Sequence, residues 1–434
     1  MHEIVIAGAH FGHDIRKDPL GGGAQVGNHL ICHWAREGRF HLTVLGSGSG
    51  ADWEGIPNVR YHQVSWHVPG HNGALTDLSV RQYASFSRQF ERGVTAFLTE
   101  LASRRDPQGI CVIHNDLCEA GDFGAIRGLG FRQVTIFHVD VVDYAVSTYL
   151  HRLISAPTLA RAFRGLTKSG LNKRLPNVVR LIFEKQEECA RHCDLLVVPS
   201  AAMAEVLLQA YPWLSRKDIL VTPWGGIGEE TSEDAVAEEA ERLRERYGLD
   251  GRRPVLLSLS RISPEKGQDL LLSALRLWER REALDPMVLI CGAPAYIHGK
   301  AYMRRLHRLA GRLRRVPVHF PGYVTGVQKA AFFSVADLYV FPSRHESYGL
   351  TLVEALQAGL PVLTTDHRSA QDLVRDDFGR VVEATPEGLY QGLRELLSRG
   401  EELATMGERA QRFAEGLRFE TAAGQLGRAI EELF

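Results

Sequence analysis

Short runs of apolar, β-branched residues alternate along the chain with longer amphipathic runs. The short runs are typical of strands buried on both faces, whereas the longer ones have the period of helices. The pattern predicts strands at 3–8, 41–46, 59–66, 109–114, 133–138, 194–199, 218–223, 255–260, 287–292, 318–322, 337–342, 361–365 and 379–383. Helical patterns fill most of the gaps, for example at 78–104, 267–280, 299–314 and 387–398.

This alternation predicts an α/β protein with parallel sheets covered by helices on both faces. Two such series indicate two Rossmann-like, doubly wound domains, and a cluster of Pro, Gly and acidic residues at 221–234 marks the boundary. We expect domains at 1–222 and 223–417, facing a cleft that binds the ligand. The amphipathic end, 418–434, is expected to pack on either domain, including by crossing back to the first.

Composition narrows the class of protein. The chain has 434 residues, a formal net charge of −1 and 24% charged residues, which is ordinary for a globular enzyme and gives no reason to expect nucleic acid as a partner. Residues 1–20 lack a signal-peptide pattern, and no run approaches the roughly 18 apolar residues of a spanning helix. The six cysteines show no CxxC spacing. These features predict a cytoplasmic protein.

One basic segment stands apart from this even charge. Residues 150–185 contain eight Lys or Arg and one acid, Glu184, with Leu and Ile interspersed. We interpret the segment as a solvated helical face near the cleft. A lid that recognises anionic groups of an acceptor and a surface that contacts a membrane are the alternatives, and the membrane contact is not favoured.

The stretch RHESYGLTLVEALQ at 344–357 carries the clearest candidate chemistry. A helix that starts near Gly349 offers free backbone N–H groups and a positive dipole end, which favour an anion. Glu346 precedes that start and Glu354 lies on the helix eight positions later. A ligand that satisfies both features places phosphates at the helix tip and hydroxyl groups on the two carboxylates.

Such a diphosphate requires positive charge, and SLSRISPEKGQD at 258–269 supplies it. Arg261 follows a predicted strand, Lys266 comes five residues later, and Gly267 opens a helix. Two cations on a loop beside a helix N-terminus are a common arrangement for phosphate binding.

A further anion site is expected where Gly21, Gly22 and Gly23 precede a helix, since glycines let backbone amides approach a ligand closely. A dinucleotide fingerprint is the alternative for a Gly-rich first turn. However, the sequence after the first strand reads GAHFGHD and lacks GxGxxG, which argues against a nicotinamide enzyme.

His138 ends the predicted strand QVTIFH and therefore points toward the expected cleft. Asp116, Asp140 and Asp143 are expected to lie near it, but the spacing DVVD at 140–143 is not that of a metal motif, and we expect no metal. Tyr323 and Val324 follow another strand, where they could frame a base or form a simple turn.

Together these residues resemble the retaining family-4 glycosyltransferases of the GT-B fold. The resemblance rests on the Glu-x7-Glu motif from Glu346 to Glu354, on the pair Arg261 and Lys266, and on GGGAQ at 21–25. The sequence departs from the family at Tyr348, where Phe is usual, at PWGGIGEE in the hinge, and at CGAPAYIHG after a strand.

The resemblance implies a role for each matching position. Arg261 and Lys266 would stabilise the diphosphate, Glu354 would hold the ribose, and Glu346 would hold the donor sugar. His138 would lie beside the anomeric carbon, Gly22 and Gly23 would contact phosphate, and Tyr323 and Val324 the base. The remaining donor contacts would come from the segment Ser347, Tyr348, Gly349, Leu350 and Thr351.

The family further implies metal-independent transfer of a hexose with retention, from a nucleotide-sugar co-substrate to an acceptor hydroxyl. We expect a UDP-sugar, and a UDP-glucose-like one because such donors are frequent in the family, with a GDP-mannose-dependent mannosyltransferase as the rival. A retaining disaccharide phosphorylase on the same fold and a non-catalytic sugar-nucleotide-binding protein are two further hypotheses. The acceptor, a small molecule, lipid or glycan, is not readable from the sequence.

Overall fold

The computed structural model describes residues 2–14, 21–50, 53, 55–68, 75, 78–144, 154–228 and 231–434. The chain divides into two compact units. Unit 1 comprises Met1–Pro223 and Glu420–Phe434, and unit 2 comprises Trp224–Phe419.

Unit 1 is built on a sheet of seven strands, which are β1 (His2–Ala7), β2 (Phe40–Gly46), β3 (Val59–Gln63), β4 (Ile110–His114), β5 (Arg132–Ile136), β6 (Leu195–Val198) and β7 (Ile219–Val221). Its helices before unit 2 are α1 (Gly22–Glu37), α2 (Val80–Ala102), α3 (Phe123–Gly128), α4 (Ala156–Lys168), α5 (Asn177–His192) and α6 (Ala201–Ala210).

Unit 2 is built on a sheet of six strands, which are β8 (Val255–Leu259), β9 (Met287–Cys291), β10 (Val318–Gly322), β11 (Leu338–Phe341), β12 (Val362–Thr365) and β13 (Gly379–Val382). Its helices are α7 (Glu233–Tyr247), α8 (Gln268–Arg281), α9 (Tyr296–Ala310), α10 (Gly326–Ser334), α11 (Leu350–Gln357), α12 (Ala370–Leu373), α13 (Pro386–Leu397) and α14 (Glu402–Ala414). The last helix of the chain is α15 (Phe419–Glu431).

Both sheets are parallel and doubly wound. Their strand orders are β3-β2-β1-β4-β5-β6-β7 and β10-β9-β8-β11-β12-β13. The order reverses between β1 and β4 in one sheet and between β8 and β11 in the other, and ligands of such sheets bind beyond the carboxyl ends of the strands at this reversal. The predicted fold class of two Rossmann-like parallel-sheet units is therefore confirmed.

The cores explain why the strands are readable as apolar runs. In β4, β8 and β9 every residue is buried, because helices cover both faces of each sheet. In unit 2 one cluster joins α8, α9 and α13 to the sheet through residues such as Leu271, Trp278 and Leu393. In unit 1 the aromatic side chains of Phe86 and Phe90 on α2 belong to a cluster with the strand residues Val5 and Val112.

The helix α15 is fixed to the N-terminal part of unit 1. The indole N–H of Trp34 donates to the carbonyl of Ala423 at 3.2 Å, and Arg39 forms two hydrogen bonds of 2.7 Å with Glu431. Paired hydrogen bonds between a guanidinium and a carboxylate are stronger than hydrogen bonds between neutral groups.

Candidate functional site

Two loops of unit 2 approach each other closely beyond the carboxyl ends of β8 and β11. Pro264–Lys266 forms a 3-10 turn, and Gly267 then caps α8 with a φ of 66°. A Cβ on Gly267 would lie 1.9 Å from the carbonyl oxygen of Pro342, so a residue with a side chain does not fit this approach. The loop that carries Lys266 is thereby held against the loop that carries Glu346.

Lys266 and Glu346 form a direct ion pair across these loops. Their side chains are only 10% and 14% exposed, so the pair is shielded from bulk water. Burial by itself would raise the pKa of Glu346, but the charge and hydrogen bond of Lys266 outweigh it and lower that pKa below its usual value of 4.5. The carboxylate is therefore ionised when the ammonium faces it.

The helix α11 begins beside this pair as the sequence predicted. Its first turn follows Gly349, which has a φ of 98°, and no side chain in the described part of the chain caps it. Ser347, Tyr348 and Gly349 are buried at this end of the helix. The hydroxyl of Thr351 lies 2.9 Å from the hydroxyl of Tyr339. The first backbone amides of α11 are donors that this helix offers an anion.

Glu354 lies on the buried side of α11 and has one bonded and one unbonded oxygen. Its Oε1 accepts from the ammonium of Lys329 at 2.8 Å, and Lys329 also contacts the carbonyl of Ile227 at 3.4 Å. Its Oε2 is buried and has no hydrogen-bond partner among the described residues. Burial raises the pKa of Glu354, although Lys329 and, more weakly, the backbone of Ile227 act in the opposite direction. An acceptor oxygen buried without a donor is costly unless a ligand supplies one.

Arg344 connects the same two loops through hydrogen bonds. Its guanidinium makes two hydrogen bonds with Asp269, of 2.7 and 3.0 Å, and a third of 2.8 Å with the carbonyl of Pro264. Asp269 also accepts from the hydroxyl of Tyr302 at 2.7 Å. The arrangement fixes the turn that precedes Lys266. Arg261 lies two residues past the end of β8, at the same edge of the sheet.

Tyr323 and Val324 follow β10 at the same end of the unit 2 sheet. Tyr323 is 36% exposed, whereas Val324 is 5% exposed. Only the tyrosine of this pair therefore presents a substantial side-chain surface to a ligand.

Unit 1 places the other predicted residues around the carboxyl ends of β1, β4 and β5. The sequence predicted that His138 ends a strand. The strand β5 instead ends at Ile136, so His138 lies in the loop that follows it. Nε2 of His138 lies 3.3 Å from Oδ1 of Asn115. A Cβ on Gly23 would lie 2.7 Å from the His138 ring, so the absence of a side chain at this position makes room for that ring. Gly22 is the first, exposed residue of α1.

Of the three acidic residues near His138, Asp140 and Asp143 are buried in unit 1 and Asp116 is partly buried. Oδ1 of Asp140 accepts from the backbone of Val142 at 3.0 Å and from the side chain of Gln186 at 3.1 Å, and burial raises the pKa of Asp140 to about 6. Burial also raises the pKa of Asp116, while its Oδ1 accepts from a backbone amide at 3.0 Å. Asp143 is 3% exposed. In the described part of the chain, no group of three or more His, Cys, Asp or Glu is placed to hold a metal ion.

The basic segment is only partly a solvated face. Arg161, Lys168 and Lys173 are exposed on and after α4, as predicted. Lys185, however, is 5% exposed, because it pairs with Glu91 at 2.5 Å and donates to the carbonyl of Gly121 at 2.8 Å. The assignment of Lys185 to the solvated face was therefore wrong. The first residues of the segment, 150–153, lie outside the described residues.

Among the residues that the structure describes, none of the helices has the length and apolar character needed to cross a membrane.

Sequence reasoning missed several partners of the predicted residues. Lys329 lies in no local motif, and neither Arg344, at the start of the quoted stretch 344–357, nor Asn115 was assigned a role, since each acts on a residue distant in the chain. His10 carried a weak signal, because it lies three residues past the end of β1 at the strand-order reversal.

Comparisons with known proteins place these features in context. Residues 239–413 match the family model "Glycosyl transferases group 1". This stretch lies within unit 2 and contains Arg261, Lys266, Glu346 and Glu354.

Curated relatives match over part of the chain. A mannosylfructose-phosphate synthase of Agrobacterium fabrum is 30% identical over 183 residues, which are 41% of this chain and 38% of the relative. A GDP-mannose-dependent alpha-(1-6)-phosphatidylinositol monomannoside mannosyltransferase of Mycolicibacterium smegmatis is 32% identical over 183 residues, covering 40% and 46%. A D-inositol 3-phosphate glycosyltransferase of Streptomyces coelicolor is 32% identical over 253 residues, covering 56% and 53%. The matches thus span about half or less of these relatives' length.

Solved structures match over the whole chain. Sucrose-phosphate synthase from Thermosynechococcus elongatus aligns with a TM-score of 0.71 at 18% identity, covering 100% of this chain and 99% of that one. WaaG, a glycosyltransferase involved in lipopolysaccharide biosynthesis, aligns with a TM-score of 0.65 at 17% identity, covering 98% of each chain. At such identities the likeness establishes the fold alone, and it confirms the predicted GT-B class.

Proposed function

We propose that this protein is a retaining glycosyltransferase that moves a hexose from a nucleotide diphosphate sugar to a hydroxyl group of an acceptor. One arrangement carries the proposal. In unit 2 the shielded pair of Lys266 and Glu346 lies beside the start of α11, which no described side chain caps. The same helix carries Oε2 of Glu354, for which no hydrogen-bond partner is found within the described part of the chain. The positive groups can bind a diphosphate, and the two carboxylates can accept hydrogen bonds from sugar hydroxyl groups on either side of it.

Lys266 would bind the diphosphate without leaving Glu346. An ammonium has three N–H donors, and the contact with Glu346 uses one of them. The other two are available to phosphate oxygens, together with Arg261 and the first amides of α11. As the bond to the sugar breaks, negative charge grows on the diphosphate, and fixed positive groups stabilise that charge more than they stabilise the bound substrate.

Glu346 and Glu354 would bind the hydroxyl groups of the donor. Oε2 of Glu354 is a buried acceptor in need of a donor, and the paired hydroxyls of a ribose supply one. Lys329 holds the other oxygen and so fixes the carboxylate. We assign the hexose hydroxyls to Glu346, the ribose to Glu354 and the base to Tyr323. In unit 1 we assign contacts with sugar and phosphate to His138 and to the amides of Gly22 and Gly23.

The proposed reaction uses no metal ion. Lys266, Arg261 and the α11 amides supply the positive charge that a divalent cation supplies to diphosphates elsewhere. We expect transfer to be unchanged when a chelator is added, and activity that depends on Mg²⁺ or Mn²⁺ would contradict this part of the proposal.

The donor is proposed to be a UDP-hexose, with GDP-mannose as the second candidate. GDP-mannose is supported by the names of relatives, since the mannosyltransferase of Mycolicibacterium smegmatis is described as GDP-mannose-dependent. The acceptor is left unassigned, because its site depends on segments that include 69–74 and 145–153, which lie outside the described residues.

The test is to incubate the protein with UDP-glucose and with GDP-mannose and to follow the nucleotide diphosphate released. Slow hydrolysis of one donor without an acceptor is expected. Tight nucleotide binding without turnover of any donor would indicate a non-catalytic binding protein. Phosphate-dependent cleavage of a disaccharide would indicate a phosphorylase.

A further inference from the structure

Asn115 connects three groups of unit 1 beyond the ends of β1 and β4. Its side chain is fully buried. Its Nδ2 lies 3.1 Å from the carbonyl oxygen of Gly23 and 2.9 Å from Nε2 of His10. Its Oδ1 lies 3.3 Å from Nε2 of His138. One amide therefore bridges two histidines and the first turn of α1.

The carbonyl of Gly23 fixes the orientation of this amide. A backbone carbonyl only accepts hydrogen bonds, so it must face the NH₂ group of Asn115. If the oxygen and nitrogen were exchanged, two acceptors would lie 3.1 Å apart. The NH₂ group directs its second hydrogen to His10, and Oδ1 consequently faces His138.

This orientation decides the proton position on each ring. Nε2 of His10 receives a hydrogen bond from Asn115, so it carries no proton and the neutral ring bears its proton on Nδ1. Nε2 of His138 faces an oxygen and must carry a proton, so the neutral ring keeps its lone pair on Nδ1.

Both rings are neutral near pH 7. Burial, together with the nearby His138 and His13, lowers the pKa of His10 from 6.5 to about 3. Burial lowers the pKa of His138 to about 4, although the backbone of Asn115, whose carbonyl favours the protonated ring, acts in the opposite direction. Gly23 also packs against the His138 ring, since a Cβ at this glycine would approach the ring to 2.7 Å. The ring is thus fixed in place as well as in tautomer.

We propose that Asn115 is a positioning residue that holds His138 in the Nε2–H tautomer and so presents Nδ1 to a hydroxyl group of the sugar ligand. The ligand part of this inference rests on the proposed function. In this role His138 accepts a hydrogen bond from the sugar and donates no proton to the departing diphosphate.

The direct test is the ¹⁵N NMR spectrum of the histidine-labelled full chain at pH 7, since the two tautomers give distinct patterns of ring nitrogen shifts. The chain has 18 histidines, so His10→Gln and His138→Gln assign the two signals by their loss. We expect a proton on Nε2 of His138 and on Nδ1 of His10. A wild-type spectrum with Nδ1–H at His138, or with Nε2–H at His10, would overturn the inference without any variant of Asn115.

Asn115→Asp supplies the second measurement, because a carboxylate has no donor for His10. We expect His10 to gain a proton on Nε2, and donor turnover to fall at least about tenfold in kcat with the Kd for the nucleotide unchanged within about twofold. Asn177→Asp, at an exposed position of the same unit, is the matched control. An unchanged His10 signal in folded Asn115→Asp would refute the bridge. The predicted tautomers in a protein that turns over no sugar nucleotide would refute the proposed function and leave the tautomer assignment supported.

Discussion

Lys266 and Glu346 are separated by 80 positions in the chain and form a shielded ion pair beside the start of α11. The pair joins the turn after β8 to the loop after β11, on the two strands between which the strand order reverses. A cation and an anion side by side suit a ligand that has a charged diphosphate next to a neutral sugar.

Removal of the ammonium should abolish transfer. We expect Lys266→Ala to lower the rate of donor turnover at least about 100-fold, the scale seen when a group that stabilises transition-state charge is lost. The pKa of Glu346 should rise, because the buried carboxylate loses its counter-charge. Kinetics with the preferred donor and a circular dichroism spectrum check the change.

The exposed Lys217 provides the matched control, and Lys217→Ala should retain wild-type turnover. Near-normal kcat in correctly folded Lys266→Ala would exclude Lys266 from the diphosphate site.

Glu354→Gln tests the ribose assignment. The amide keeps the shape of the side chain but weakens the acceptor, and a hydrogen bond to a charged group contributes about 1.5–3 kcal/mol. We expect the Kd for the nucleotide to rise about tenfold or more, measured by calorimetry. Glu401→Gln, at an exposed position of unit 2, should bind as the wild type does. Equal affinities of the two variants would contradict the assignment.

The ion pair should make unit 2 sensitive to acid. The folded-state pKa of Glu346 is below the value of 4.5 expected in the unfolded chain. Its contribution to stability is therefore complete above about pH 4.5 and is lost as the pH falls through the lowered, folded-state pKa. Glu346→Gln should show a smaller loss of the urea midpoint than the wild type over that acid range. Parallel curves for the two proteins would show that the pair contributes no stability that depends on pH.

Gly267 and Gly248 allow a clean test of the close approach between the two loops. Both have left-handed backbones, with φ of 66° and 64°, but a Cβ on Gly267 meets the Pro342 carbonyl at 1.9 Å, whereas a Cβ on Gly248 meets nothing within 4 Å. Gly248→Ala should cost about 1–2 kcal/mol of unfolding free energy from its backbone alone. Gly267→Ala should cost more and also weaken nucleotide binding, because it displaces Lys266. The outcome that would contradict the close approach is an equal loss of stability with unchanged binding.

Much of the fold was readable from the sequence, because a parallel sheet covered on both faces produces apolar runs of strand length. Each predicted strand is present, with ends that differ by a few residues, such as β3, which ends at Gln63. The start of α11 was readable from Gly349. The partners of the site residues could not be predicted from the sequence. Lys329 and Glu354, like Asn115 and His10, come into contact only in the folded chain. Residues 105 positions apart leave no periodic signal.

The most direct test of the central claim follows the donor itself. Wild-type protein and Lys266→Ala are incubated with UDP-glucose and with GDP-mannose, and the released UDP or GDP is measured by mass spectrometry. The account predicts slow release from one donor by the wild type and at least about 100-fold less by the variant. Release from neither donor, or equal release by both proteins, would contradict it.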